Sequence, residues 1–128
     1  MADLHSTANL SPVGWYVASY LIRFVEVGAP DNDDPDRRFL TWENTILVQA
    51  RDLHHAYDKA VAFAQRATEP YASHPTGEPV QWLFEGLTEL LPIYEDLADG
   101  AEIMWADRRQ RKLSTLRRWS RQRDDFVR

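Results

Sequence analysis

Residues 15–27 are rich in aromatic and β-branched side chains, the composition of a pleated, half-buried strand. Drawn as extended chain, they place Tyr16, Ala18, Tyr20, Ile22 and Phe24 on one side. Trp15, Val17, Ser19, Leu21 and Arg23 fall on the other. The first set is the more uniformly apolar and should face the core. A second strand is expected over residues 42–50, where Trp42, Ile46, Val48 and Ala50 alternate with Glu43, Thr45 and Gln49. The two should pair antiparallel across the acidic, turn-rich stretch 28–38.

Asp52 then offers an N-cap carboxylate for the free amides of a first helical turn. Leu53, Ala56, Tyr57, Ala60, Ala64 and Ala67 follow at helical spacing, predicting a helix over residues 53–67. Its Ala56, Ala60, Ala64 row is narrow enough to lie close on a sheet. Residues 68–79, with three prolines and Gly77, read as loop. Val80, Trp82 and Phe84 alternate with polar neighbours as a third strand, and Gly86 marks a bulge or bend. Residues 87–97 are ambiguous, because Pro92 suits neither a central strand nor a helix interior. Asp99-Gly100 signals a hairpin leading into a short strand over residues 102–105. From Asp107 the pattern turns helical, with Leu113, Leu116 and Trp119 forming a thin apolar stripe among arginines.

These elements predict an α+β fold: an antiparallel sheet of four or five strands with one packed helix, in β-β-α-β-β order, plus a basic C-terminal helix. A chain of 128 residues fits one such domain, placed at residues 14–106. Residues 1–13 are expected as a flexible lead, and residues 107–128 as a basic amphipathic helix.

The four pieces in order resemble a bacterial family, the domain of unknown function DUF4288. They are Trp15-Tyr16-Val17-Ala18; Trp42-Glu43 with the run to Ala50; Ala56-Tyr57 and Lys59-Ala60; and Trp82, Phe84-Glu85-Gly86-Leu87, Glu89-Leu90 with Asp99-Gly100 and Glu102-Ile103. The resemblance spans residues 14–106. It implies a compact bacterial α+β domain and carries over no catalytic residue.

Charge changes the picture more than composition does. Residues 107–128 hold nine cationic side chains against three carboxylates, a net +6. Because the whole chain carries −5, residues 1–106 carry −11. The chain has no cysteine, which removes disulfides, thiolate metal sites and thiol nucleophiles and is compatible with a reducing compartment. Residues 1–12 show neither a basic start nor a long apolar run, so no signal peptide is expected. The stretch 15–27 is interrupted by Ser19, Arg23 and Glu26 and is too short to span a bilayer. A cytoplasmic location without membrane contact is expected.

Local signatures of catalysis are missing: no serine–histidine–aspartate set, phosphate loop or dinucleotide fingerprint occurs. His5 and His74 fall in loops, and the His54–Asp58 pair on one helix face lacks the further ligands a metal would need. Read from Asn32, the acidic loop mimics a calcium loop, but Pro35 and Arg37 stand where that geometry fails. Glu85 and Glu102 are candidates for a carboxylate pair by residue type alone. No cofactor and no metal is expected, and an enzyme is not the leading reading.

Two classes of function remain beside a small enzyme with a site assembled only in three dimensions. The first is a non-enzymatic protein-interaction module, in specific form an immunity-type inhibitor of a toxin. Its partner would be a basic protein or a second copy of the chain. The second is a nucleic-acid-associated module acting through the arginine-rich end. Tryptophan and arginine dominate interface hot spots, and five tryptophans exceed what one core of this size needs. The candidate contact residues are Asp31, Asp33, Asp34, Asp36, Trp42, Arg108, Arg109, Arg117, Arg118 and Trp119.

Overall fold

The computed structural model describes residues 7–66 and 68–128. Residues 1–6, with His5, and Ala67, the expected last residue of the helix, lie outside the described residues. Strands β1 (Trp15–Glu26), β2 (Thr41–Gln49), β3 (Tyr71–Ala72) and β4 (Pro79–Pro92) form one antiparallel sheet in the order β2-β1-β4-β3. Helix α1 (Leu53–Arg66) crosses one face of it, and a short α2 (Leu113–Trp119) lies in the C-terminal arm.

The alanine row sets the architecture. Asp52 caps α1 through its carboxylate, which accepts the His55 amide at 2.8 Å. Ala56, Ala60 and Ala64 are fully buried. With only methyl groups beneath it, the helix lies close on the sheet over Tyr16, Ala18, Tyr20 and Ile22, joined by Ile46 and Val48 of β2. The expected core face of β1 therefore meets the helix. The opposite face carries no helix, yet Val17, Ser19 and Val25 are buried there too. Their strand is central, and Val17 sits between its register partners Leu47 and Leu91.

None of the five tryptophans is in this core. Trp15 and Trp82 are partly buried, while Trp42, Trp105 and Trp119 are 54%, 62% and 49% exposed. A helix seated on alanines leaves a gap filled by tyrosine, isoleucine and valine, too thin for an indole, so the large rings fall at the ends of the sheet.

The α+β class and β-β-α-β-β order are as expected, but the last two strands are different pieces of chain. Residues 71–72, expected as loop, pair with β4 as β3. The third expected strand continues from residue 79 to Pro92. Gly86, at φ 145°, accommodates a bulge, and the register slips twice, leaving Glu85 and Thr88 unpaired. Pro92 is tolerated for a geometric reason. The Ile93 amide bonds the Trp15 carbonyl, so Tyr16 and Pro92 form a non-hydrogen-bonded pair. The Pro92 nitrogen faces away from β1, on a side that the two-residue β3 does not reach.

The expected strand at residues 102–105 does not form. The Asp99-Gly100 turn is present, closed by the Ala101 amide on the Ala98 carbonyl. The chain leaving it, however, satisfies the Glu102 amide with the Glu95 carboxylate, not with a strand. The C-terminal helix is also shorter than residues 107–128. It has no side-chain cap at Lys112 and no packed face, and a helix lacking both is limited to a turn or two. A 3-10 turn follows at Arg123–Phe126.

Residues 7–13, expected as part of a flexible lead, are held. The buried Ser11 hydroxyl donates to the Ile93 carbonyl at 2.5 Å and accepts the Trp15 amide at 3.1 Å, while the Ser11 amide bonds the Tyr16 hydroxyl. Tyr94 bonds the Ala8 carbonyl from the other side.

Replacing Ala60 by leucine should push α1 off the sheet and lower the unfolding free energy in urea by about 1–3 kcal/mol. The same change at exposed Ala62 should stay within about 0.5 kcal/mol.

Candidate functional site

The end of the sheet where β1 hands over to β2 gathers most of the chemistry. Here α1 is running out, and the helix-side face becomes an aromatic platform that is only partly covered, with Trp82 and Phe84 packed against Tyr20, Ile22 and Ala64. In register, Leu40 and Trp42 of the β2 end flank Phe24 and Ile22 of β1, with Trp82 and Phe84 beyond on β4. The Trp42 and Trp82 ring centroids are 4.9 Å apart, and Phe24 meets Trp82 edge-on at 5.4 Å. Leu40 is 59% exposed beside the half-open Trp42.

The other face of the same end is a charged clasp. Arg23 is the hub of it, its side chain only 15% exposed. Its Nε donates to Glu85 at 2.7 Å, and its Nη1 donates to the Asn32 carbonyl at 2.6 Å. Its Nη2 lies 3.7 Å from Asp33. The bulge at Gly86 is what aims Glu85 at it. Arg37 donates to Asp31 at 2.8 Å and to the Asn32 side chain at 3.1 Å. Both guanidinium carbons stand 4.6 Å from the centroid of the Phe39 ring. These groups line a hollow of about 420 Å³.

The acidic loop is thus tied to two arginines while its aspartates stay exposed. Three of the four oxygen side chains that mimic a calcium loop are engaged internally: Asn32 Oδ1 accepts from Arg37, Asp34 accepts the Asp36 amide, and Glu43 accepts the Thr88 hydroxyl from β4. Among the described residues, no group of three or more histidine, aspartate or glutamate side chains is placed to hold a metal. Asp31 and Asp33 are partly neutralised, while Asp34 and Asp36 are exposed with no cationic partner among the described residues.

Of the candidate contacts, the structure brings Asp31, Asp33, Asp34, Asp36 and Trp42 to one end of the sheet. Arg108, Arg109, Arg117, Arg118 and Trp119 lie apart, in an arm leaving past Ile93 at the opposite end. Arg109 takes a positive φ of 61°, with its amide on the Asp107 carboxylate. Among the described residues, no arm cation forms an ion pair with a body carboxylate. Glu85 and Glu102 do not approach each other. Glu102 lines a separate hollow of about 210 Å³ with Tyr94, Glu95 and Trp105.

Arg23, Phe39 and Leu40 were not singled out by sequence reasoning, Arg37 entered only as a departure from the calcium-loop pattern, and Glu85 only as a carboxylate-pair candidate with Glu102. A signal existed for two of them: Arg23 is the one cation in a strand otherwise apolar or neutral until Glu26, and Glu85 precedes the strand glycine.

With the site in place, comparison with known proteins is decisive on one point. A family profile for a domain of unknown function (DUF4288) matches residues 15–105. The chain belongs to the DUF4288 family. No curated protein and no solved structure matches it. The DUF4288 segment contains the whole clasp and the aromatic platform and stops short of the basic arm. Among the described residues of this DUF4288 chain, no helix is long and apolar enough to cross a membrane.

Removing the hub should release the loop. In Arg23→Met, amide exchange over residues 31–37 should quicken about tenfold, with about 1–2 kcal/mol lost from global stability. Unchanged exchange there would show that the loop holds itself.

Proposed function

We propose that the chain is a non-enzymatic protein-interaction module that receives a basic polypeptide at the acidic, aromatic end of its sheet. An immunity-type inhibitor, covering the cationic surface of a toxin, is the specific form of this reading. One observation carries it: Trp42 and Leu40, exposed apolar anchors, stand at the same end of the sheet as a loop of four aspartates that the half-buried Arg23 ties down through Asn32 and Asp33. Apolar anchors give affinity once desolvated, and the surrounding carboxylates steer and select a cationic partner. Preorganising the loop removes part of the ordering cost of binding. The expected bacterial, cytoplasmic setting belongs to the same proposal.

A second reading has its own support. The arm's arginines, which form no ion pair among the described residues, suit a phosphate polymer with Trp119 among them, and binding there would fall steeply with salt. The acidic body opposes it within roughly 10 Å, the reach of an unscreened charge.

Fluorescence anisotropy with two labelled probes, an octa-arginine peptide and a single-stranded oligonucleotide, separates the two. The peptide should bind at low salt, and the triple variant Trp42→Ala, Asp34→Asn, Asp36→Asn should weaken it roughly tenfold. Peptide binding indifferent to that variant would overturn the first reading, and tight oligonucleotide binding would favour the second.

A further inference from the structure

Resting on the interaction reading just given, we propose that the acidic, aromatic end takes the C-terminal arm of a second copy, so that copies associate head to tail. The two surfaces are opposite in charge, and both expose apolar side chains. The arm carries +6 and the rest of the chain −11. Arg117 and Arg118 lie in the last turn of α2, next to Trp119. Leu113, Leu116 and Trp119 are all exposed, and α2 makes no substantial packing with the sheet or with α1. Such a stripe on an unsupported seven-residue helix lacks the tertiary contact that stabilises short helices. Leu40 and Trp42, exposed at the same end of the sheet as the loop that carries the exposed Asp34 and Asp36, supply an apolar seat with carboxylates that can meet the arm's cations.

In the chain itself α2 has no substantial contact with this end, which argues for the arm of another copy. The seat lies at the Ile22 to Glu26 end of β1, while the arm departs beyond the Tyr16–Pro92 pair at the other end. The ends are separated by about 30 Å of strand at 3.4 Å per residue. Surfaces at opposite ends make a heterologous contact, which leaves one arm and one seat unfilled in a dimer joined by a single contact. Association therefore continues past the dimer, into chains or a closed ring, and weakens as salt screens the charges.

Light scattering and sedimentation of the full chain over a concentration series test this directly. At low salt the mass should rise past a dimer with concentration and fall back in high salt. A seat variant (Trp42→Ser, Asp34→Lys, Asp36→Lys) and an arm variant (Leu116→Ser, Trp119→Ser, Arg117→Glu, Arg118→Glu) should each remain monomeric. Mixed with wild type, each should cap growth at one end. A variant carrying only Leu116→Ser and Trp119→Ser should remain monomeric alone, because the apolar part of the arm is needed, whereas its equimolar mixture with the seat variant should stop at a 1:1 dimer, the intact arm of one filling the intact seat of the other. Wild type that is monomeric at every concentration at low salt overturns the inference. If it then still binds the octa-arginine peptide, the interaction reading stands without self-association. If it binds neither, both fail.

Discussion

The contact between the alanine row of α1 and the helix-side face of β1 governs what the rest of the chain can be. Ala56, Ala60 and Ala64 bring the helix backbone close to Tyr16, Ala18 and Tyr20. The thin layer between them is filled without an indole. Apart from Tyr16 and Tyr20, the large rings of the sheet lie toward its ends, and Phe24, Trp42, Trp82 and Phe84 collect near the end of the helix. The binding candidate is thereby a by-product of core geometry: the aromatics crowd a sheet end because the middle has no room for them.

The charged side of that end depends on an irregularity in β4. A regular strand would alternate its side chains without interruption. The slips around Gly86 free Glu85 and Thr88 from pairing and aim them at Arg23 and Glu43 on the helix-free face. Arg23 then ties β1, β4 and the acidic loop together while remaining mostly shielded from solvent. A hydrogen bond to a charged, half-shielded partner is stronger than a surface ion pair, so the loop is held by geometry more than by net charge.

Much of the fold was legible in the sequence because its signals are local. The β1 faces, the Asp52 cap, the alanine row and the Gly86 bulge each follow from a few adjacent residues. What was not legible depended on partners far away in the chain. Pro92 could close a strand only because β3 is too short to reach it. Residues 102–105 had strand composition, but their backbone found a carboxylate in place of a strand. Tyr71-Ala72 had no pattern and became a strand because β4 offered an edge. The site shows the same division. The acidic loop and Trp42 stood out by composition, whereas the Arg23–Glu85 link spans sixty residues and needs the bulge to exist. The family match fixes the domain and is silent on chemistry, so function rests on the surfaces themselves.

Tryptophan emission with iodide quenching tests the displacement of the indoles most directly. A core floored by alanines, with its rings at the sheet ends and in the arm, predicts native emission well red of a buried indole. Under monomeric conditions in high salt, most of that fluorescence should be open to iodide, with Trp42→Phe, Trp105→Phe and Trp119→Phe each removing a quenchable share. Blue-shifted emission from the native chain that iodide barely touches would contradict it, placing the rings inside.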